Sequence, residues 1–191
     1  MRSDTERNRR HLIKAAARLF ENSPTPVSLA EIARHAEVST ATAYRHFSSV
    51  EEILHAFRAQ VGTELRDFSR RQPTRGMARL EAVSRYWVSL VLEHGGAMAQ
   101  MRSHRGYLER LGENTGYLTP QAEALAEPLR QTTEELGLGD LGDEALYLWN
   151  ALFDPRDILD LIKSGRTEEE AATRLVAAVR GALIGWSSPE P

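Results

Sequence analysis

Residues 40–46, Thr-Ala-Thr-Ala-Tyr-Arg-His, concentrate side chains that can read nucleic acid. On a helix, Thr40, Ala41, Thr42 and Arg45 face outward, with Tyr44 and His46 at the flanks. A face of that kind suits the DNA major groove. Guanidinium forks onto guanine, threonine and alanine methyls meet the thymine methyl, and hydroxyls reach phosphate oxygens. Other chemistries find less support. The chain has no P-loop, no dinucleotide glycine fingerprint, no HExxH and no cysteine. Its six histidines lie apart, four of them in the first 55 residues. His94 and His104 have no carboxylate at suitable ligand spacing. We therefore expect no enzyme, no catalytic residues, no metal and no cofactor.

The stretch that must position this helix is residues 28–54, SLAEIARHAEVSTATAYRHFSSVEEIL. Ser28 with Glu31 and Ser49 with Glu52 read as capping boxes, in which the hydroxyl accepts the N3 amide and the glutamate reaches back. Ser39 caps by its hydroxyl alone. Helices are predicted over about 29–36 and 40–46, and from about 50. Only Glu37 to Ser39 separate the first two, which forces the sharp angle of a helix-turn-helix. Ile32, Ala33 and Ala36 form the inner face of the first helix, Val38 plugs the turn, and Ala43 and Phe47 form the inner face of the second. Ala33 and Ala43 are small enough for a close crossing.

Composition fits such a protein. Hydrophobic residues make up 41% of the chain, enough for a packed core. The absence of cysteine suits a reducing compartment. No apolar run reaches transmembrane length, and the N-terminus lacks a signal-peptide pattern, so a soluble cytoplasmic protein without a membrane partner is expected. Net charge is −3, but residues 1–75 hold 13 Lys and Arg against 9 Asp and Glu. A basic N-terminal part on an acidic body is the asymmetry of a chain that meets phosphate at one end.

Ahead of the motif, a helix over about 4–21 carries Leu12, Ile13, Ala16, Leu19 and Phe20 at helical spacing, with Ser3 and Glu6 as a further capping box. Arg2, Arg7, Arg9 and Arg10 near its start are candidates for phosphate or minor-groove contact, or else a solvated helix end. NSPTPV at 22–27 is a turn. The helix from about 50 runs through Ile53, Leu54, Phe57, Val61, Leu65 and Phe68 to the region of Pro73. At about 20 residues it spans ~30 Å.

RRHLIKAAARLF followed by VSLAEIARHAEVSTATAYRHFSSVEEIL resembles the DNA-binding head of the TetR family of bacterial transcriptional regulators, over about residues 7–58. Two positions depart from the family pattern. Glu37 stands where the turn usually has glycine, and a non-glycine residue in left-handed backbone costs about 1 kcal/mol. Val50 stands where a basic residue often meets phosphate. The resemblance implies a homodimer on a palindromic double-stranded DNA operator, with two recognition helices about one DNA turn apart. It implies that Thr40, Ala41, Thr42 and Arg45 face bases while Ser28, Tyr44 and His46 meet phosphates.

The rest reads as all helix. The resulting expectation is an all-α chain: a three-helix DNA-binding domain with a helix-turn-helix at 1–49, a connector helix at 50–75, and a helical ligand-binding and dimerisation domain at 76–191. His94-Gly95-Gly96 is expected to break or kink the helix that starts near Met77. A segment over 97–112 follows, then a turn at GENTGY, a helix from Thr119-Pro120 to about Leu136, and a loop at GLGDLGD. Asp154-Pro155 should kink or restart the helix over 143–163. Thr167 and Glu170 form a last capping box, and the acidic run Glu168 to Glu170 matches the helix dipole.

An unknown small-molecule effector is expected, with Tyr86, Trp87, Met98, Met101, Tyr107, Tyr147 and Asn150 as candidate pocket residues. Leu175, Ala178, Val179, Ala182, Leu183 and Trp186 are the candidate dimer face, where Ala178, Gly181, Ala182 and Gly185 allow close approach. The function expected is a ligand-responsive repressor. The alternative is a small-molecule-binding or protein-docking helical module with weakened DNA binding, which Glu37 and Val50 would favour.

Overall fold

The computed structural model describes residues 2–22, 27–99, 105–113 and 116–188. These form ten helices and no strand. The first four are α1 (Arg2–Asn22), α2 (Leu29–His35), α3 (Thr40–His46) and α4 (Val50–Arg71). The body adds α5 (Gly76–Ala99), α6 (Tyr107–Gly112), α7 (Thr119–Glu135), α8 (Gly142–Leu152), α9 (Pro155–Lys163) and α10 (Glu168–Ser187). The all-α expectation holds.

α1, α2 and α3 close around Leu12, Ile13, Ala16, Ile32, Ala33, Ala43 and Phe47, all nearly or fully buried. α1 begins at Arg2, two residues ahead of the expected start, and the side chain of Ser3 lies outside the described residues. α4 leaves this head and packs along α7, while α5 runs through the middle of the body and touches α1, α4, α7, α9 and α10. Trp87 of α5 donates to the Phe153 carbonyl at 3.0 Å, and Trp149 of α8 donates to Ser84 Oγ at 2.9 Å. Both indoles bury their apolar bodies and satisfy their N–H groups, which makes them core residues.

Helix α5 passes straight through His94-Gly95-Gly96 to Ala99, so the expected break is absent. The glycines serve close packing. A Cβ on Gly96 would lie 2.7 Å from Glu21 Cα in α1, and one on Gly95 would lie 2.9 Å from Leu159 in α9. The body thus meets the head where two backbones nearly touch. Asp154 does restart the chain as α9, its carboxylate accepting from the Arg156 amide at 2.9 Å.

Two features of the body arise only from tertiary contact. The start of α5 is capped by α7: Gly76 N–H donates to Gln131 Oε1 at 3.0 Å and Met77 N–H to Glu135 Oε2 at 2.8 Å. Gly76 holds φ 53°, and a Cβ there would collide with the Glu135 carboxylate. Pro128 stands inside α7 and offers no amide to the carbonyl of Ala124. The hydroxyl of Ser69, buried in α4, donates to that carbonyl at 2.6 Å instead. The proline's missing bond is restored from the neighbouring helix.

Candidate functional site

The geometry of the head follows from its caps. Ser28 Oγ accepts the Glu31 amide at 3.2 Å, and Glu31 Oε2 accepts the Ser28 amide at 2.8 Å. These bonds hold the Glu31 carboxyl below the usual glutamate range. Ser39 Oγ accepts the Thr42 amide at 3.1 Å. Between the two helices Glu37 takes φ 57°. The Val38 amide donates to the Ala33 carbonyl at 3.0 Å and the Glu37 amide to Arg34 at 3.3 Å. This is a Schellman motif with glutamate in its left-handed position. The same paired bonds close α7 at Gly137 and α9 at Gly165, with glycine in the left-handed place. The turn geometry is therefore kept without glycine.

At the far end of α3 the capping differs from the sequence expectation. Ser49 Oγ accepts the Glu52 amide at 3.1 Å, but the Glu52 carboxylate turns to Ser48, accepting its amide at 2.6 Å and its hydroxyl at 2.8 Å. The box is shared between two serines. It fastens the last residues of α3 to the first turn of α4. Val50 is half-buried and packs against the core, which accounts for an apolar residue there.

On the outer face of α3, Thr40, Ala41, Tyr44 and Arg45 are exposed, Tyr44 to 59%. Among the described residues Arg45 makes no ion pair, so its guanidinium is available. Thr42 and His46 are half-buried, and the Thr42 hydroxyl sits 2.8 Å from Ser39 Oγ. Ser28 is exposed, with its hydroxyl already donating to Glu31 at 2.7 Å. The sequence did not reveal the fate of the leading arginines. Arg9 lies over the Phe47 ring at 5.1 Å, and Arg7 pairs with Asp4 at 3.1 Å. Arg9 thereby ties α1 to the end of α3.

Residues 12–57 match the tetR family of bacterial regulatory proteins. Over these residues the head is similar to that family. No curated protein matches the chain. A tetR-family transcriptional regulator from Streptomyces coelicolor is similar in structure, with a TM-score of 0.63 and 24% identity over 95% of this chain and 82% of that one. A proposed transcriptional regulator from Pseudomonas aeruginosa aligns at 0.64 and 20% identity, covering 94% and 91%. A proposed tetR-family regulator from Mesorhizobium loti aligns at 0.57 and 18%, covering 95% and 97%. The chain thus shares its overall fold with these structures.

The candidate pocket residues in the body are dispersed. Trp87 and Met98 are buried in the packed core. Tyr86 stacks on Phe68 with centroids 4.0 Å apart and donates to Glu64 at 2.5 Å, an arrangement that pushes its phenol up to about 12. Tyr107 is buried at the start of α6, and burial pushes its phenol up to about 12 as well. Met101 lies outside the described residues, as does His104. Asn150 is half-buried on α8. Tyr147 is exposed and lies beside Trp186 of α10, ring centroids 6.0 Å apart. It belongs with the outer face of α8 and α10 rather than with an internal chamber.

That outer face also revises the candidate dimer residues. Leu175, Val179 and Leu183 are buried in the protomer's own core. Ala182 is half-buried, while Ala178 and Trp186 are exposed. The exposed side of α10 instead shows Ala178, Gly181, Ile184, Gly185 and Trp186. Nothing lies within 4 Å of a Cβ placed on Gly181 or Gly185.

A cavity of about 580 Å³ does open at the head–body joint. Phe57, Val61, Lys14, Glu21, Glu64 and His94 are among its lining residues. Among the described residues no group of three or more His, Asp or Glu could hold a metal ion, and no helix is long and apolar enough to cross a membrane.

Proposed function

We propose that the protein is a homodimeric, effector-responsive repressor that binds a palindromic DNA operator through α3. The observation that carries this is the exposed Thr40, Ala41, Tyr44 and Arg45 face on a TetR-type head. Arg45 is the natural base reader, because a guanidinium matches two acceptors on guanine. Tyr44 is placed to meet a phosphate beside it, and Thr40 and Ala41 to meet thymine methyls. Thr42, His46 and Ser28 take lesser parts, since their polar groups or positions are partly used within the head.

Dimerisation uses the outer face of α8 and α10. Tyr147, Ile184 and Trp186 supply exposed apolar area, and Ala178, Gly181 and Gly185 let a second α10 come close. Two heads held this way would meet successive major grooves about one DNA turn apart. An effector in the body shifts α4, which is fastened to α3 by Ser48, Ser49 and Glu52. A coupling of ~1–3 kcal/mol between the sites suffices for a useful switch.

A gel shift on the DNA flanking the protein's own coding sequence tests the reading. A sequence-specific complex is expected, weakened ~5–150-fold by Arg45→Ala, from the ~1–3 kcal/mol of a bidentate base contact. Absence of any specific complex at low salt would overturn it and favour the docking-module alternative. Sedimentation tests the interface: Ile184→Asp should convert a dimer to monomers.

A further inference from the structure

Two arginines of α4 have an Nε atom sealed from water and without a hydrogen-bond partner, Arg58 and Arg66. They are otherwise unlike. Arg66 is neutralised by Glu123, whose carboxylate lies 2.9 Å from its terminal nitrogen. Arg58 makes no ion pair among the described residues. It has one long hydrogen bond, from its terminal nitrogen to Gln121 Oε1 at 3.5 Å, and the face of the Tyr117 ring 5.8 Å away. Asp154 is near enough to be felt, but its carboxylate is taken by Arg156 at 2.6 and 2.9 Å. A second cation stands close by. Arg110 of α6 donates to the Tyr117 hydroxyl at 3.3 Å. Burial, and then Arg110, push the Arg58 guanidinium below its usual range.

Arg58 is half-buried, and a partly desolvated charge without an opposite charge is costly, while a bidentate carboxylate is the partner a guanidinium accepts best. The surroundings fit such a partner. Gln121 is buried and held in place, because α4 and α7 meet at Gly62, where a Cβ would lie 3.0 Å from the Gln121 amide nitrogen. Tyr117 stacks flat on His55, centroids 4.0 Å apart, and its ring lies 5.8 Å from the guanidinium. Tyr107 adds an apolar wall with a phenol.

We infer that the Arg58 guanidinium, on α4 beside Tyr117 and Gln121, is the receptor for the carboxylate group of a small organic acid. This rests on the effector-responsive reading above and gives its effector a chemical class. An acid seated there meets Tyr117, which touches His55 and Arg58. Both of those residues lie on α4, so the event is delivered to the helix that is fastened to the DNA-reading end.

The test uses the full-length protein without DNA. Thermal melts are recorded with sodium acetate, hexanoate and benzoate, with inorganic phosphate, and with chloride at matched ionic strength. At ten times Kd a carboxylate should raise Tm by about 3–6 °C. Arg58→Met should abolish that rise while leaving the ligand-free Tm equal or higher, because a lone, partly desolvated charge has been removed. No rise with any carboxylate, a rise with phosphate alone, or an Arg58→Met protein that melts lower and still responds would each overturn the inference. These outcomes are independent of the operator gel shift. A carboxylate response without operator binding would sink the regulator reading and keep the acid site, and the converse would do the reverse.

Discussion

Replacing Ser69 by alanine probes the hydroxyl that bridges the seam between α4 and α7. The Ser69 hydroxyl is buried and donates at 2.6 Å to the Ala124 carbonyl, which Pro128 leaves without its own helical donor. Removing the hydroxyl strands a buried carbonyl, and an unsatisfied buried acceptor costs about 1–3 kcal/mol. For a chain of this size each kcal/mol corresponds to roughly 2–4 °C, so Tm should fall by about 2–12 °C. The backbone carbonyl of Ser69 keeps its bond from Arg79 Nε at 3.1 Å, and the substitution also removes a longer contact, the Arg79 terminal nitrogen donating to Ser69 Oγ at 3.4 Å. Urea titration should give a lower midpoint at unchanged slope. The decisive measurement is a double-mutant cycle. In a Pro128→Ala background the amide N–H restored at that position can serve the Ala124 carbonyl, and Ser69→Ala should then cost well under ~1 kcal/mol. Equal costs in both backgrounds, within the ~0.3–0.5 kcal/mol expected of independent sites, would refute the reasoning.

Other substitutions address the head and its attachment. Glu37→Gly relieves a left-handed side chain and should stabilise the protein by about 1 kcal/mol in a urea titration, with recognition unchanged in a gel shift. Gly96→Ala forces a Cβ to within 2.7 Å of Glu21 Cα. Helix propensity favours alanine by about 0.5–1 kcal/mol, but overpacking costs about 1–3 kcal/mol, so calorimetry should show a net loss. Glu52 is held below the usual glutamate range by the Ser48 amide and hydroxyl. A depressed folded value means its stabilisation is present at neutral pH and is lost as pH falls through the folded value. Glu52→Gln should therefore melt lower than the parent at pH 7, and the gap should close in acid below the ordinary glutamate range. A gap independent of pH would contradict this account.

The chain's own order of residues determined where most helices begin. Ser28 with Glu31, Ser39 with Thr42, Asp154 with Pro155 and Thr167 with Glu170 all act within four residues, so they are legible without knowing what lies across the fold. The left-handed turn at Glu37 was legible for the same reason, from the resemblance of the motif. The exposed face of α3 followed from its short length and from the buried Ala43 and Phe47.

Tertiary structure decided the rest, because it concerns which partner arrives. Helix α10 is apolar on more than one side, with Leu175, Val179 and Leu183 on one and Ile184 and Trp186 on another. Periodicity shows the stripes but cannot choose which meets the body. Gly95 and Gly96 read as a break until α1 and α9 are seen against them. Trp87 could have lined a chamber or filled a core, and the Phe153 carbonyl settles it for the core. Arg58 has no local pattern at all. Its surroundings depend on residues 52 to 63 positions away, Arg110, Tyr117 and Gln121, which only the folded chain brings to it.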